Sequence, residues 1–234
     1  MEQSTQTFAD KVLAFNSQLT FPGSLPAGIR MMNPFRENGS VMDLATAFYR
    51  KFYEDQRPRH LILGINPGRF GGGVTGIPFT DTKRLTEQCG IPYSGPSTHE
   101  PSSVFVYDVI TAYGGPARFY ADFYINSICP LGFTKYGPDG KEVNYNYYDS
   151  KALQAAVYDF MVASLRRQVD FGVHRDVCFS LGLRNAGFIE KINAQFGFFQ
   201  KIVPLEHPRF VMQYQSKRKQ EYVDKYLLAL SQSQ

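Results

Sequence analysis

Three side chains able to form directional hydrogen bonds stand beside short apolar runs of the chain: Asn66 shortly after Leu61-Ile62-Leu63, Asn126 inside Phe123–Cys129, and His207 after Ile202–Leu205. An amide carries both a donor and an acceptor, and an imidazole donates or accepts according to its tautomer. Two amides and an imidazole gathered in one cleft would offer a ligand several polar contacts. Taken singly, each has a plainer reading. Asn before Pro67 is a common turn residue, Asn126 could bond at a strand end, and a histidine before proline is often structural.

The stretch "LILGINPGRFGGGVTGIPF", residues 61–79, carries six glycines and two prolines behind its aliphatic run. Glycine lets a backbone come close to a ligand and take positive φ. A triphosphate cradle is excluded by spacing. Gly68 to Gly73 matches the glycines of GxxxxGK[ST], but Val74 stands where the phosphate-binding lysine is needed. The GxGxxG dinucleotide fingerprint is absent as well. The loop presents Asn66, extended by the following proline, and a set of main-chain groups.

What positions these residues is an alternation of helices and strands. Apolar spacing predicts helices over 7–19, 41–53, 151–168, from about Arg184, and from about Ser216 to the end. Strands are predicted at His60–Leu63, Phe123–Cys129, Val177–Leu181 and Ile202–Leu205. Residues 103–113, capped by Ser102 or Ser103, read as a helix, although their valines suit a strand. Residues 134–150 read as a polar, Tyr-rich, mobile excursion. The alternation argues an α/β fold with a mainly parallel sheet, in which ligands bind beyond the carboxyl ends of the strands. With 234 residues and no internal repeat or linker, a single domain over 1–234 is expected.

Composition narrows the classes. Three separated cysteines (Cys89, Cys129, Cys178) argue against a disulfide framework, a zinc site or an iron–sulfur cluster. No apolar run is long enough for a membrane span, and the N-terminal stretch lacks the pattern of a secretory signal. A cytoplasmic protein is expected. The net charge of +4 permits a polyanionic partner without requiring one. Fifteen tyrosines and twenty phenylalanines supply faces able to stack on bases.

The same segments resemble the uracil-DNA glycosylase superfamily, and most closely its single-strand-selective monofunctional branch. The resemblance rests on "NSQLTF", "LGINPGRFGGGVTGIPF", "INSICPLGF" and "LEHPRF", in that order and nearly end to end. It implies a three-layer α/β/α sandwich around a four-stranded, mainly parallel sheet. It also implies a monofunctional DNA glycosylase that hydrolyses the N-glycosidic bond of uracil, with other deaminated or 5-modified bases in its range, leaving an abasic site as the first step of base excision repair. Neither metal nor other cofactor is expected. The implied partner is DNA with a flipped base, the implied state a monomer, and the implied location in a bacterial cell the nucleoid.

By the resemblance, Asn66 positions the attacking water and His207 stabilises charge on the departing base. Asn126 pairs with the base edge, Phe79 stacks on the base, and the backbone at Gly72 and Gly73 adds contacts. Gly68 replaces a bulky tyrosine that blocks a 5-methyl group in stricter enzymes. Arg209 and Phe210 occupy the place of a duplex-opening wedge, with phosphate contacts from Lys217 and Arg218. The chain departs from the family in its shorter, more apolar segment after His207, in Arg69 for a proline, and in the Tyr-rich 136–148 stretch. These departures leave room for a main substrate among deaminated purines, xanthine or hypoxanthine. Two other classes compete: a pocket that binds a base without hydrolysis, and a hydrolase of RNA or nucleosides.

Overall fold

A computed structural model describes residues 6–232 of the chain; the first residues of the N-terminal stretch lie outside them. The helices are α1 Phe8–Ser17, α2 Pro34–Glu37, α3 Gly39–Tyr53, α4 Gly72–Thr75, α5 Thr82–Glu87, α6 Pro101–Tyr113, α7 Pro116–Asp122, α8 Lys151–Val169, α9 Leu183–Phe196, α10 Pro208–Tyr214 and α11 Lys219–Ser231. The strands are β1 Ile29–Met32, β2 His60–Gly64, β3 Phe123–Ser127, β4 Gly132–Tyr136, β5 Glu142–Tyr145, β6 Val177–Leu181 and β7 Lys201–Leu205.

Four strands form a parallel sheet in the order β3-β2-β6-β7. Every residue of β2 and β3 is buried. A strand buried on both faces has to be covered on both, which is why these segments read as mainly apolar rather than as alternation. Helices supply the cover. Tyr53 of α3 donates to the Phe123 carbonyl, Gln168 of α8 donates to the Ser127 carbonyl, and α9 packs on β6 and β7. The expected mainly parallel four-stranded sheet is therefore present.

Local chemistry sets the helix ends. Thr7 and Asp10 form a reciprocal capping box on α1, Ser150 caps α8, and α6 runs from Pro101 at its first turn to Gly114 in the left-handed conformation. The expected serine cap of α6 is corrected: Glu100 holds the cap position, and Ser102 and Ser103 are buried inside the helix. The three cysteines are free and buried. Among the described residues, no helix is long and apolar enough to cross a membrane.

Residues 134–150 are the main correction. The stretch read as a polar, mobile excursion contains strands: β4 and β5 form a hairpin, and β4 pairs with β1 to make a three-stranded antiparallel sheet. The hairpin closes with Gly140 at φ +72° and a bond from Gly137 N–H to the Lys141 carbonyl of 2.8 Å. Glu142 ties the sheet together, accepting from Thr134 at 2.6 Å and from Arg30 at 3.2 Å. Polar residues on a hairpin read as loop in the local sequence, because the strand that completes the sheet lies far upstream.

Candidate functional site

In the parallel sheet the chain runs from β2 outward to β3 and then returns to place β6 on the other side of β2. The connections after β2 and β6 therefore diverge, opening a crevice at the carboxyl ends of these strands. A cavity of about 310 Å³ lies there. Asn66, Gly68, Gly72, Phe79, Glu100, Ser127, Tyr148, His207, Arg209 and Phe210 are among its lining residues. Segments far apart in the sequence thus meet at one sheet end, and the structure brings Asn66, Phe79 and His207 together.

Asn66 follows β2 by two residues, and its amide is held from both sides. Its Nδ2 donates to the Tyr145 carbonyl at 3.2 Å, and its Oδ1 accepts from the Tyr147 N–H at 3.1 Å. These bonds define which end of the amide is oxygen. The carbonyl oxygen keeps a second lone pair for another donor. The segment read as mobile is thus the clamp on this side chain.

The glycines of the loop divide by role. Gly68 and Gly72 line the cavity, whereas Gly73 does not. Gly73 N–H bonds to the Gly68 carbonyl at 2.9 Å, and a Cβ there would come within 2.8 Å of that oxygen, so Gly73 closes the turn. Phe79, at φ +52°, is the only non-glycine residue with positive φ among those described. Such strain persists only where its surroundings enforce it. Thr75 Oγ1 accepts from Ile77 N–H and donates to the Thr80 carbonyl at 2.6 Å, which fixes the backbone on both sides of Phe79. The Phe79 ring then lies over Gly64, where a Cβ would sit 2.8 Å from the ring edge. Gly64 was not singled out by its sequence, yet only a residue without a side chain lets the ring lie there.

Asn126 is not on this cavity. It lines a narrow neighbouring cleft, with Pro67, Gly72 and Pro78 common to both spaces. Its amide is held at both ends: Nδ2 donates to Tyr124 Oη at 2.6 Å, and Oδ1 accepts from Ser127 N–H at 2.8 Å, which leaves one N–H and, as at Asn66, one lone pair over. Successive strand residues point to opposite faces, so Asn126 shares a face with Tyr124 while Ser127 takes the other. Ser127 lines the cavity, and among the described residues no group bonds its hydroxyl. Ser127 is thus a further strand-end polar group at the site, beside Asn126 in the adjoining cleft.

His207 leaves β7 and caps α10, its Nδ1 accepting from Arg209 N–H at 3.1 Å. That bond requires a lone pair on Nδ1, so the neutral ring carries its proton on Nε2. Burial, followed by the charge of Arg209, lowers its pKa from 6.5 to about 4. Gly182, at φ +104°, turns the chain from β6 into α9 beside the imidazole. The His207 ring centre is 5.9 Å from that of Phe79.

Glu100 is a lining residue that sequence reasoning missed, because nothing local marks the residue ahead of a helix proline. Its Oε2 accepts from Ser103 Oγ at 3.1 Å, and Oε1 lies 2.9 Å from where a Gly68 Cβ would be. Burial raises its pKa above the ordinary value of 4.5, against the opposing effects of Ser103 and Arg209. An acid raised by folding is a cost to stability once ionised, appearing as pH climbs past its unfolded pKa. Glu100→Gln is therefore expected to melt higher than wild type at pH 8, with the gap closing toward pH 4. Calorimetry at both pH values checks this; an equal difference at each would remove the assignment.

At the mouth, Arg209 and Phe210 line the opening, and Phe210 and Tyr214 present exposed rings 5.7 Å apart. Lys217 and Arg218 lie on the exposed turn beyond, outside the cavity, and Arg218 pairs with Glu221 at 2.7 Å. Burial pushes the Cys89 thiol up to about 11 and Cys129 to about 12, so neither is a thiolate nucleophile.

Metal-ligating side chains converge at the opposite end of β2, where His60, His174 and Asp176 approach one another. The two imidazoles are stacked, with centres 4.2 Å apart and planes 17° from parallel. An ion bound at ~2.1 Å from each nitrogen has to lie near both ring planes, which face-to-face rings do not allow.

Comparison with known proteins agrees with the geometry. The family model of the uracil DNA glycosylase superfamily matches residues 50–231. The crystal structure of wild-type SMUG2 from Pedobacter heparinus superposes with a TM-score of 0.95 at 57% identity, covering 97% of this chain and 98% of that one. No curated protein matches. With the matched span running from α3 to α11 and including the whole parallel sheet, the chain belongs to the uracil DNA glycosylase superfamily.

Proposed function

We propose that the protein is a monofunctional DNA glycosylase that hydrolyses the bond between uracil and its deoxyribose in DNA, leaving an abasic site. The observation that carries this is the placement of Asn66 and a neutral His207 on one cavity with Phe79. The flipped base stacks on Phe79. Asn126 in the adjoining cleft, Ser127 and the main chain at Gly68 and Gly72 meet its polar edges. As the C1′–N bond breaks, its electron pair passes to the base. The Nε2–H of His207 hydrogen-bonds the base oxygen where that charge collects.

Water held by the free lone pair of Asn66 Oδ1 then adds to the oxocarbenium-like sugar, and its proton goes to the departing base. An amide is not a base, so departure precedes attack. This shares the transition-state character of glycoside hydrolysis without its carboxylate pair.

The donor set supports hydrolysis without a metal. The one histidine on the cavity has Nδ1 bonded to Arg209 N–H and presents a protonated Nε2. No lysine is among the lining residues, which disfavours a Schiff base and strand cleavage. Arg209 and Phe210 at the mouth suit the opening of a stack around a flipped nucleotide, and the exposed Lys217 and Arg218 beyond it would meet phosphates. The chain would act as a monomer, with every residue named here supplied by one copy.

The test is release of free uracil from single- and double-stranded oligonucleotides, with and without chelator, followed by alkali. Chelator-insensitive release, with strands intact until alkali, is expected. Tight binding of uracil-DNA without release would instead favour a non-catalytic binder.

A further inference from the structure

We infer that Tyr147 and Asn185 are positioning residues for Asn66, fixing its backbone and its side chain to one buried amide. This rests on the proposed role of Asn66 in holding water. The terminal torsion of an asparagine is broad and roughly two-fold, so a free Asn66 would present oxygen or nitrogen to the cavity. Here the choice is made. Its Nδ2 meets the Tyr145 carbonyl and its Oδ1 meets the Tyr147 N–H. A flipped amide would set oxygen against oxygen and N–H against N–H.

The clamp has its own anchor. The Tyr147 side chain is fully buried, and its hydroxyl donates to Asn185 Oδ1 at 2.8 Å. Asn185, also fully buried in the first turn of α9, sends Nδ2 to the carbonyls of Leu63 and Gly64, each at 3.2 Å, and to Ser180 Oγ at 3.3 Å. Leu63 and Gly64 end the strand that carries Asn66 two residues later. The loop of contacts is thus closed: β2 grips Asn185, Asn185 grips Tyr147, and Tyr147 grips the Asn66 amide. A shift in the β5 segment would move the water site, and a reaction that needs near-attack geometry is sensitive to displacements of about 1 Å.

Tyr147→Phe tests this with little change in packing, because the ring contacts to Tyr148 at 4.9 Å and Phe188 at 5.5 Å remain possible. Single-turnover uracil release should fall about 10–100-fold while binding of uracil-DNA stays unchanged. The same change made in Asn66→Ala should cost nothing further, since coupled residues are not additive. An independent readout is the side-chain NH₂ signal of Asn66 by ¹⁵N NMR in the free protein, expected to be exchange-protected in wild type and to lose protection in Tyr147→Phe. An equal loss of rate in both backgrounds, or an unchanged Asn66 signal, would overturn the inference. Failure of wild type to release any base would instead strike the proposed function, and the NMR comparison would still decide the positioning.

Discussion

Asn66→Asp is expected to lose base release as severely as Asn66→Ala, by about 10²–10³-fold, although a carboxylate is intrinsically the stronger base. The reason lies in what the amide nitrogen touches. Nδ2 faces the Tyr145 carbonyl at 3.2 Å, and an aspartate would put an oxygen there. Two oxygens at that distance repel unless one carries a proton. The aspartate would then be raised in pKa and act as the acid, not as a base. If it ionises, it pushes residues 145–147 away and loses the Tyr147 N–H that orients it. The Asn66→Ala change leaves the same backbone groups unpaired and holds no water. Single-turnover rates across pH separate the cases. An aspartate variant as fast as wild type at neutral pH would show that the clamp on Asn66 does not govern the reaction.

That clamp was the part of the site least legible in the sequence. The parallel strands were plain, because β2, β3 and β6 are short, mainly apolar segments, β2 and β3 ending in Gly64 and Ser127 and β6 running straight into Gly182. Their parallel order then places Asn66 and His207 at one sheet end without further information. The hairpin at 132–145 is different. Its pairing with β1 joins Lys135 to Ile29 and Gly132 to Met32, contacts about a hundred residues apart, and its polar outward positions mimic a loop. Asn126 and Ser127 show a second limit. The residues are adjacent, and only the pleat decides which one faces the cavity. Asn126, bonded to Tyr124 two residues back on the same face, lines the adjoining cleft, while Ser127 lines the cavity itself. Gly64 and Glu100 were invisible for a related reason: each matters through a neighbour brought from elsewhere, the Phe79 ring and the Gly68 backbone.

His207→Ala is expected to slow uracil release about 10²–10³-fold, the usual loss when one donor aimed at developing charge is removed, with His207→Gln retaining part of the rate because an amide N–H can replace Nε2–H. The wild-type rate should show no inflection near pH 6.5 from this residue. Burial and Arg209 hold its pKa at about 4, so the ring is already neutral through the physiological range. A neutral donor suits a leaving group that departs as a weak acid's anion, because it stabilises the charge without first taking a proton from solvent. The same shift has a stability consequence, and its sign is fixed by linkage. An unfolded chain accepts a proton at His207 near pH 6.5, while the folded chain refuses it down to about 4. This contribution to stability is complete above 6.5 and is lost as pH falls toward 4. Below that, protonation of Nδ1 also breaks the bond from Arg209 N–H that caps α10. Wild type should therefore lose more stability than His207→Gln between pH 6.5 and 4, as read by denaturant melts at fixed pH. A His207 ring signal that titrates at 6.5 by NMR would reverse the argument, making the imidazolium the group that meets the departing base.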